Sequence, residues 1–279
     1  MSDFINFNGN IVPNDTPVFK AASRAARFGD GLFETMRLHN GQLVLSDFHG
    51  ERLFSGLELL QFKLPMHFTW SFLLHEIEKL MNHHHYRECA RVRLMVCRGE
   101  GALNEEAENS PQFLVECFPA DKYSFNEVGL KIDVFENSRK NADAYSHLKT
   151  SNFLPYVMAA LYAHEQGLDE CVLLNHEGRI CDGTISNIFW VKDDAVFTPP
   201  LSEGGIGGTM RRYLLQSLPE VGLQVKESNA TPNELLAADE IFLSNAVRGI
   251  RWVKTFRKKE YQNKTARFIC DRVVCSLTK

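Results

Sequence analysis

The sequence predicts an α+β protein of two domains. Three observations carry that reading. The chain has 279 residues, enough for two modest hydrophobic cores. Segments of strand period and segments of helix period are intermixed without strict βαβ alternation. Near the middle, Pro119-Ala120-Asp121-Lys122-Tyr123-Ser124 reads as a linker, so residues 1–120 form a small N-terminal α/β domain and residues 121–279 a larger C-terminal one.

The elements follow in order. Phe4-Ile5-Asn6-Phe7, Asn8-Gly9-Asn10 and Ile11-Val12 spell a hairpin about an Asn-Gly turn. A short helix or turn is expected around Ser23 to Ala26. Leu32 to Leu38 alternates, turns at His39-Asn40-Gly41 and returns through Leu43-Val44-Leu45. Ser46 is placed to N-cap a helix from Asp47 to Gln61, which carries Arg52. A second helix, Thr69 to Asn82, sets Phe72, Leu73, Ile77 and Leu80 on one face. His83-His84-His85 then reads as a polar helix exit, because three adjacent histidines cannot face one metal from a helix or a strand. Arg91 to Gly99 and Gln112 to Phe118 are strands, separated by an acidic, aperiodic loop from Glu100 to Ser110.

The second domain begins with a strand, Leu130 to Phe135, and reaches His147-Leu148-Lys149-Thr150-Ser151-Asn152. A helical pattern follows, with Leu154, Val157, Met158, Leu161 and Tyr162 at three- and four-residue spacing. Glu170 to Leu174 is a short apolar strand, and the turn Asn175-His176-Glu177-Gly178 leads into Arg179 to Val191. After Thr198-Pro199, the run Gly204-Gly205-Ile206-Gly207-Gly208-Thr209-Met210-Arg211 opens another helix. Leu223 to Val225 is a strand, and Thr231-Pro232-Asn233-Glu234 has capping-box spacing. Strands at Glu240 to Ser244 and Ile250 to Thr255, then an amphipathic helix from Thr265 to Leu277, complete the chain.

Bulk composition narrows the function. Hydrophobic residues make up 44% and charged residues 24%, an ordinary globular balance. A net charge of −4 calls for neither nucleic acid nor an anionic membrane, and no apolar run approaches a membrane span. The seven cysteines are odd in number and without metal-ligand spacing, which fits buried thiols in a reducing compartment. The N-terminus lacks the pattern of a signal peptide, so a cytoplasmic protein is expected.

Lys149, Asp182 and the glycine run suit one chemistry. A lysine amine can hold an aldehyde cofactor as a Schiff base. A carboxylate beside a pyridine nitrogen keeps it protonated, which makes the ring an electron sink. A glycine-rich helix start can hold a phosphate. Together they describe a site for pyridoxal 5′-phosphate.

The ordered set resembles the class IV aminotransferase family, the fold type IV pyridoxal phosphate enzymes, whose members include branched-chain and D-amino acid aminotransferases and aminodeoxychorismate lyases. The resemblance covers nearly the whole chain. Besides the central stretch it rests on Arg27-Phe28-Gly29-Asp30-Gly31-Leu32-Phe33-Glu34-Thr35, His49-Gly50-Glu51-Arg52-Leu53 and Ala238-Asp239-Glu240-Ile241-Phe242-Leu243-Ser244-Asn245-Ala246. It implies that Lys149, in the C-terminal domain, is the Schiff-base lysine and that Arg52 contacts the cofactor phosphate. It implies cofactor-binding places for Asp182, Ile206, Gly208, Thr209 and Asn245, and a two-fold homodimer acting on a small molecule. The chain departs from the family at Asp182, where glutamate is usual, and in the acidic loop after Gly99. Arg98 has two readings, a contact to a substrate carboxylate or an ion pair with a nearby glutamate. Asn245, the Gly205–Arg211 loop and Thr35 are similar to the lyases, in which a hydroxyl at Thr35's place assists a proton step. A lyase forming 4-aminobenzoate and pyruvate from 4-amino-4-deoxychorismate is therefore expected. The alternatives are an aminotransferase for branched-chain or D-amino acids, and a non-catalytic binding protein on the same fold.

Overall fold

The computed structural model describes residues 3–84, 88–104 and 110–278. The chain divides into two units, Met1–Lys122 with Lys149–Phe153, and Tyr123–Leu148 with Leu154–Lys279. This differs from the linear division at residue 120 chiefly in the placement of Lys149, which packs with the first unit.

In the first unit, β1 (Phe4–Phe7) and β2 (Asn10–Pro13) form the Asn-Gly hairpin. Asn8 and Gly9 take φ values of 51° and 86°, as the two central residues of a type I′ turn must. The unit continues with α1 (Arg24–Phe28), β3 (Gly31–His39), β4 (Gln42–Leu43), α2 (Ser46–Leu59), α3 (Trp70–His84), β5 (Cys89–Arg98) and β6 (Pro111–Pro119). Among the described residues its strands make a six-stranded antiparallel sheet in the order β2-β1-β6-β5-β3-β4. The α3 helix buries Leu73, Ile77, Leu80 and Met81 and packs on β1 and β6, while α2 packs on β3.

Ser46 does not cap α2. The helix starts at Ser46 itself, after Leu45 in a left-handed conformation (φ 57°), and the Ser46 hydroxyl instead accepts the Trp70 indole N–H at 3.2 Å. At the end of α3, His83 stands edge-on to Phe4 at 4.4 Å and His84 Nε2 lies 2.9 Å from the Phe4 carbonyl. His85 and residues 105–109 of the acidic loop lie outside the described residues.

The Lys149–Phe153 segment belongs to this unit because it pairs with the edge of β3. Phe33 N–H donates to the Lys149 carbonyl at 3.0 Å and Ser151 N–H to that of Gly31 at 2.9 Å, with Thr150 opposite Leu32. β4 covers the other half of the same edge, at Leu38 and His39.

The second unit runs β7 (Leu130–Lys140), α4 (Leu154–Glu165), β8 (Glu170–Asn175), β9 (Ile180–Gly183), β10 (Asn187–Lys192), β11 (Ala195–Thr198), α5 (Thr209–Ser217), β12 (Val225–Glu227), α6 (Pro232–Ala237), β13 (Glu240–Asn245), β14 (Gly249–Phe256), β15 (Lys259–Glu260) and α7 (Lys264–Ile269). Among the described residues its mixed sheet has nine strands, in the order β12-β11-β10-β13-β14-β7-β8-β9 with β15 beside β14. Val172, Ile180, Ile188, Leu235, Ile241 and Val253 belong to one buried cluster. Thr231 and Glu234 form the capping box that their spacing predicts.

The stretch Arg179 to Val191 is two strands, broken at Thr184–Ser186, where Thr184 Oγ1 bonds back to the Cys171 backbone. Two expectations change. The strand expected at Leu223–Val225 starts only at Val225, its pairing with β11. The last helix is not uniform. The Glu240 carboxylate accepts the Thr265 and Ala266 N–H groups at 2.7 and 3.0 Å at the start of α7, but the chain widens into a π-helical turn at Cys270–Val274 and tightens again after it.

The α4 helix presents its periodic apolar stripe outward. Leu154, Val157, Met158 and Leu161 are 67%, 48%, 45% and 53% exposed, while Tyr156, Ala159 and Ala163 face inward on β7 and β8. Among the described residues no helix is long and apolar enough to cross a membrane.

Candidate active site

Lys149 stands opposite Phe33 in the edge pairing of β3. Its Nζ lies 4.3 Å from the Phe33 ring centroid and 5.3 Å from that of Phe153, two faces that accommodate a cation. Thr35 follows Phe33 by two residues and so projects on the same face of β3. The β5 partner of Thr35 is Arg93, whose guanidinium lies 5.1 Å from the Phe33 ring and donates to Glu116 at 2.8 Å. One face of this sheet therefore gathers an amine, a hydroxyl and a guanidinium.

Arg93 has no role in the sequence reading. Strand alternation was the available signal: Arg93 shares the Phe33 face, whereas Arg98, an odd number of residues away, takes the other. There Arg98 donates to Asp30 Oδ1 at 2.5 Å and to the Leu60 carbonyl, and its guanidinium lies 4.3 Å from the Phe62 ring.

Glu34 also points away from Phe33 and is fully buried. It accepts Arg52 Nε–H at 2.8 Å, a second bond from Arg52 Nη2, and one from His49 Nδ1. Burial alone would raise the Glu34 carboxyl, but Arg52 and His49 together hold it down at about 2. Burial pushes His49 below its ordinary value despite the Glu34 charge, so the imidazole stays neutral while Glu34 and Arg52 form the ion pair. The pair uses the Nε–Nη2 edge of the guanidinium and fixes where Arg52 points. Glu34 and His49 were in the motifs, but sequence alone assigned them no task.

In the second unit, β9 carries Asp182, buried to 2% exposure. Its Oδ2 accepts the Ile206 N–H at 2.8 Å and the Tyr156 hydroxyl at 2.9 Å, and lies 3.5 Å from Lys140 Nζ. Its Oδ1 is buried with no hydrogen-bond partner among the described residues. The glycine run lies tight against the strands. A Cβ on Gly205 would come within 2.6 Å of the Cys181 carbonyl, and one on Gly208 within 1.9 Å of Asn187 Oδ1. Asn187 in turn donates to the Ile206 carbonyl at 2.7 Å.

The Gly207 N–H goes to the His147 carbonyl at 2.9 Å and the Gly208 N–H to that of Ile206 at 2.8 Å. Both glycine N–H groups thus close onto backbone carbonyls, and α5 begins at Thr209. Asn245 closes β13: its Oδ1 accepts the Val247 and Arg248 N–H groups at 3.1 and 2.8 Å, and its Nδ2 lies 3.2 Å from Ser186 Oγ.

These residues fit a phosphorylated pyridine aldehyde. A buried carboxylate oxygen lacking a donor suits a protonated ring nitrogen, and an orphaned acceptor is costly without one. Within the first unit Arg52 suits a phosphate and Lys149 an aldehyde; within the second the start of α5 suits a phosphate. The predicted set divides between the units: Thr35, Arg52, Arg98 and Lys149 in the first, Asp182, Ile206, Gly208, Thr209 and Asn245 in the second.

The family model described as amino-transferase class IV matches residues 31–256. The chain is 29% identical to an aminodeoxychorismate lyase from Vibrio harveyi over 231 residues, covering 81% of this chain and 83% of that protein. It is 27% identical to a D-alanine aminotransferase from Bacillus licheniformis, covering 86% of this chain and 83% of that one. The branched-chain aminotransferase structure from Thermoproteus uzoniensis superposes with a TM-score of 0.89 at 22% identity, covering 100% of this chain and 95% of that one.

Proposed function

The chain belongs to the class IV aminotransferase family, and on that premise we propose that it converts 4-amino-4-deoxychorismate to 4-aminobenzoate and pyruvate. It is a pyridoxal 5′-phosphate enzyme with the fold type IV architecture. When bound, that cofactor supplies an electron sink for the charge left behind as a substrate proton departs. Lys149 Nζ would hold the aldehyde carbon, and its amine is the base placed to take the substrate ring proton. Asp182 Oδ1 would accept from the ring nitrogen, and Arg52 and the first turn of α5 would each offer donors to the phosphate, with Ile206, Gly208 and Thr209 setting the backbone at α5. Asn245, braced by Ser186, completes the cofactor's surroundings in the second unit.

The observation that carries the lyase reading is Thr35. Its hydroxyl projects on the face of β3 where Phe33 supports the Lys149 ammonium, so a second proton-handling group accompanies the base. The likeness to aminodeoxychorismate lyases from Vibrio harveyi and Bacillus subtilis, at 29% and 27% identity, supports it. Arg93 on the same face suits a carboxylate of the substrate, the role first considered for Arg98, while the Asp30 pairing of Arg98 suits a structural ion pair.

Thr35→Val keeps the β-branched shape and removes only the hydroxyl. It is expected to slow elimination by ~10- to 100-fold, the lower part of the range for a positioned proton transfer. Pyruvate release coupled to lactate dehydrogenase measures this. Wild-type protein that releases no pyruvate from this substrate, yet passes amino groups from glutamate, branched-chain or D-amino acids to 2-oxo acids, is an aminotransferase instead.

The protein acts as a two-fold homodimer in this reading. The outward stripe of α4 supports it, since four neighbouring large apolar side chains in water are what an interface covers. Burying one leucine contributes roughly 1.5–3 kcal/mol. The double variant Leu154→Asp/Leu161→Asp is therefore expected to sediment as a monomer at micromolar concentration where wild type sediments as a dimer. Equal masses for the two would remove α4 from the interface. Free cysteines such as Cys97, Cys117 and Cys171, each a thiol pushed up to about 12 by burial, accord with a cytoplasmic setting.

A further inference from the structure

Asp182 is one methylene shorter than the glutamate its family usually places there, and its surroundings show how this chain uses the shorter side chain. Three elements converge on it. β7 ends at Lys140, the first turns of α4 bring Tyr156, and β9 holds the carboxylate itself. Lys140 and Tyr156 are 8% and 7% exposed. Lys140 Nζ donates to the Tyr156 hydroxyl oxygen, and that hydroxyl donates to Asp182 Oδ2 at 2.9 Å. Nζ also lies 3.5 Å from the same Oδ2 and 4.6 Å from the Tyr156 ring centroid. With the Ile206 N–H at 2.8 Å, the donors among the described residues converge on Oδ2, and Oδ1 has none of them.

We propose that Lys140 and Tyr156 are positioning residues for the cofactor: they saturate Asp182 Oδ2, keep the carboxylate charged in a buried site, and thereby reserve Oδ1 for the ring nitrogen. This rests on the reading of Asp182 as the ring-nitrogen carboxylate. The physical requirement is simple. A carboxylate keeps a proton on the pyridine nitrogen only if it remains an anion, and an anion this deeply buried needs a counter-charge and donors. Lys140 supplies the charge. Tyr156 passes a donor directly to the carboxylate, and burial followed by the charge of Asp182 pushes its phenol well above 10, so it remains a donor. Two donors and a nearby ammonium on one oxygen also lock the carboxyl rotor, because turning it would break both short bonds at once. Neither residue was singled out by sequence, since Lys140, Tyr156 and Asp182 are joined only by the convergence of a strand end, a helix and a second strand.

The test reads the ring nitrogen rather than turnover. Pyridoxal phosphate labelled with nitrogen-15 at the ring position is bound to wild type and to Lys140→Met, Lys140→Arg, Tyr156→Phe and Asp182→Asn, and the ring signal is followed against pH by NMR. In parallel, each apoprotein is titrated with pyridoxal phosphate and with its 1-deaza analogue, which has a carbon in place of that nitrogen. Wild type should show a protonated ring nitrogen at neutral pH and prefer the parent cofactor. Lys140→Met and Tyr156→Phe should shift the signal toward the unprotonated form and reduce the preference by about tenfold, the equivalent of one pKa unit. Lys140→Arg should restore both, because it returns the charge.

If Lys140→Met fails to fold, Tyr156→Phe carries the same readout with the loss of one oxygen atom. A ring signal and preference unchanged in Lys140→Met or Tyr156→Phe, while Asp182→Asn alters both, overturns the relay and leaves Asp182 in its role. A signal unchanged in Asp182→Asn as well overturns both.

Discussion

Lys149→Ala is expected to lower turnover by about 10⁴-fold, the upper end for loss of a positioned base, and to remove the covalent hold on the cofactor as well. Borohydride reduction of the holoprotein should fix the cofactor on Lys149, as mapped by peptide mass spectrometry. Lys140 is the buried competitor, but its Nζ is already engaged by the Tyr156 hydroxyl and paired with Asp182. Lys149 Nζ lies 4.3 Å from the Phe33 ring centroid and 5.3 Å from that of Phe153. A label recovered on Lys140 would reassign the reactive amine.

Asp182→Asn should cost roughly 2–4 kcal/mol of transition-state stabilisation, the scale for one preorganised electrostatic group. The amide keeps the shape but cannot hold the ring nitrogen protonated, so the cofactor should still bind while turnover falls. Sequence alone suggests that Asp182→Glu would retain most activity, because glutamate is the family's usual residue. The packing revises that expectation. Oδ2 already meets Ile206 N–H at 2.8 Å and Tyr156 at 2.9 Å, so an added methylene must displace one of them. Overpacking of this kind costs about 1–3 kcal/mol, and Asp182→Glu should fall between wild type and Asp182→Asn. Steady-state rates of the three proteins at saturating cofactor check the order, and equal rates for wild type and Asp182→Asn would remove the carboxylate from the mechanism.

What the sequence made legible was local or ordered along the chain. An Asn-Gly dipeptide set the first hairpin, a Thr-x-x-Glu spacing set the α6 cap, and Lys149, Asp182 and the glycine run stood in the family's order. What it hid depended on partners far away in sequence. Ser46 looked like a cap until the Trp70 indole took its hydroxyl. The spacing of Leu154, Val157, Met158 and Leu161 announced a helix with an apolar stripe, but periodicity says nothing about whether the stripe faces its own core or the outside. Arg93 and Arg98 differ by strand parity, a distinction that needs the pairing register to become a difference in surroundings. The glycines were read as phosphate donors, whereas two of their N–H groups close onto His147 and Ile206 and their missing side chains let the loop lie against Cys181 and Asn187.

The edge pairing of Lys149–Ser151 with β3 carries a consequence for synthesis on the ribosome. The strand that holds Thr35 emerges early, yet the half of its edge at Gly31–Phe33 is covered only by a segment made more than a hundred residues later. At the usual ~5–20 residues per second, the nascent first unit waits several seconds with that edge open. A chain stopped at Lys122 would keep it open permanently, a template for pairing with another copy. Lys149 is therefore part of the seal on the older half of the molecule, and the protein cannot finish its first unit without having begun its second.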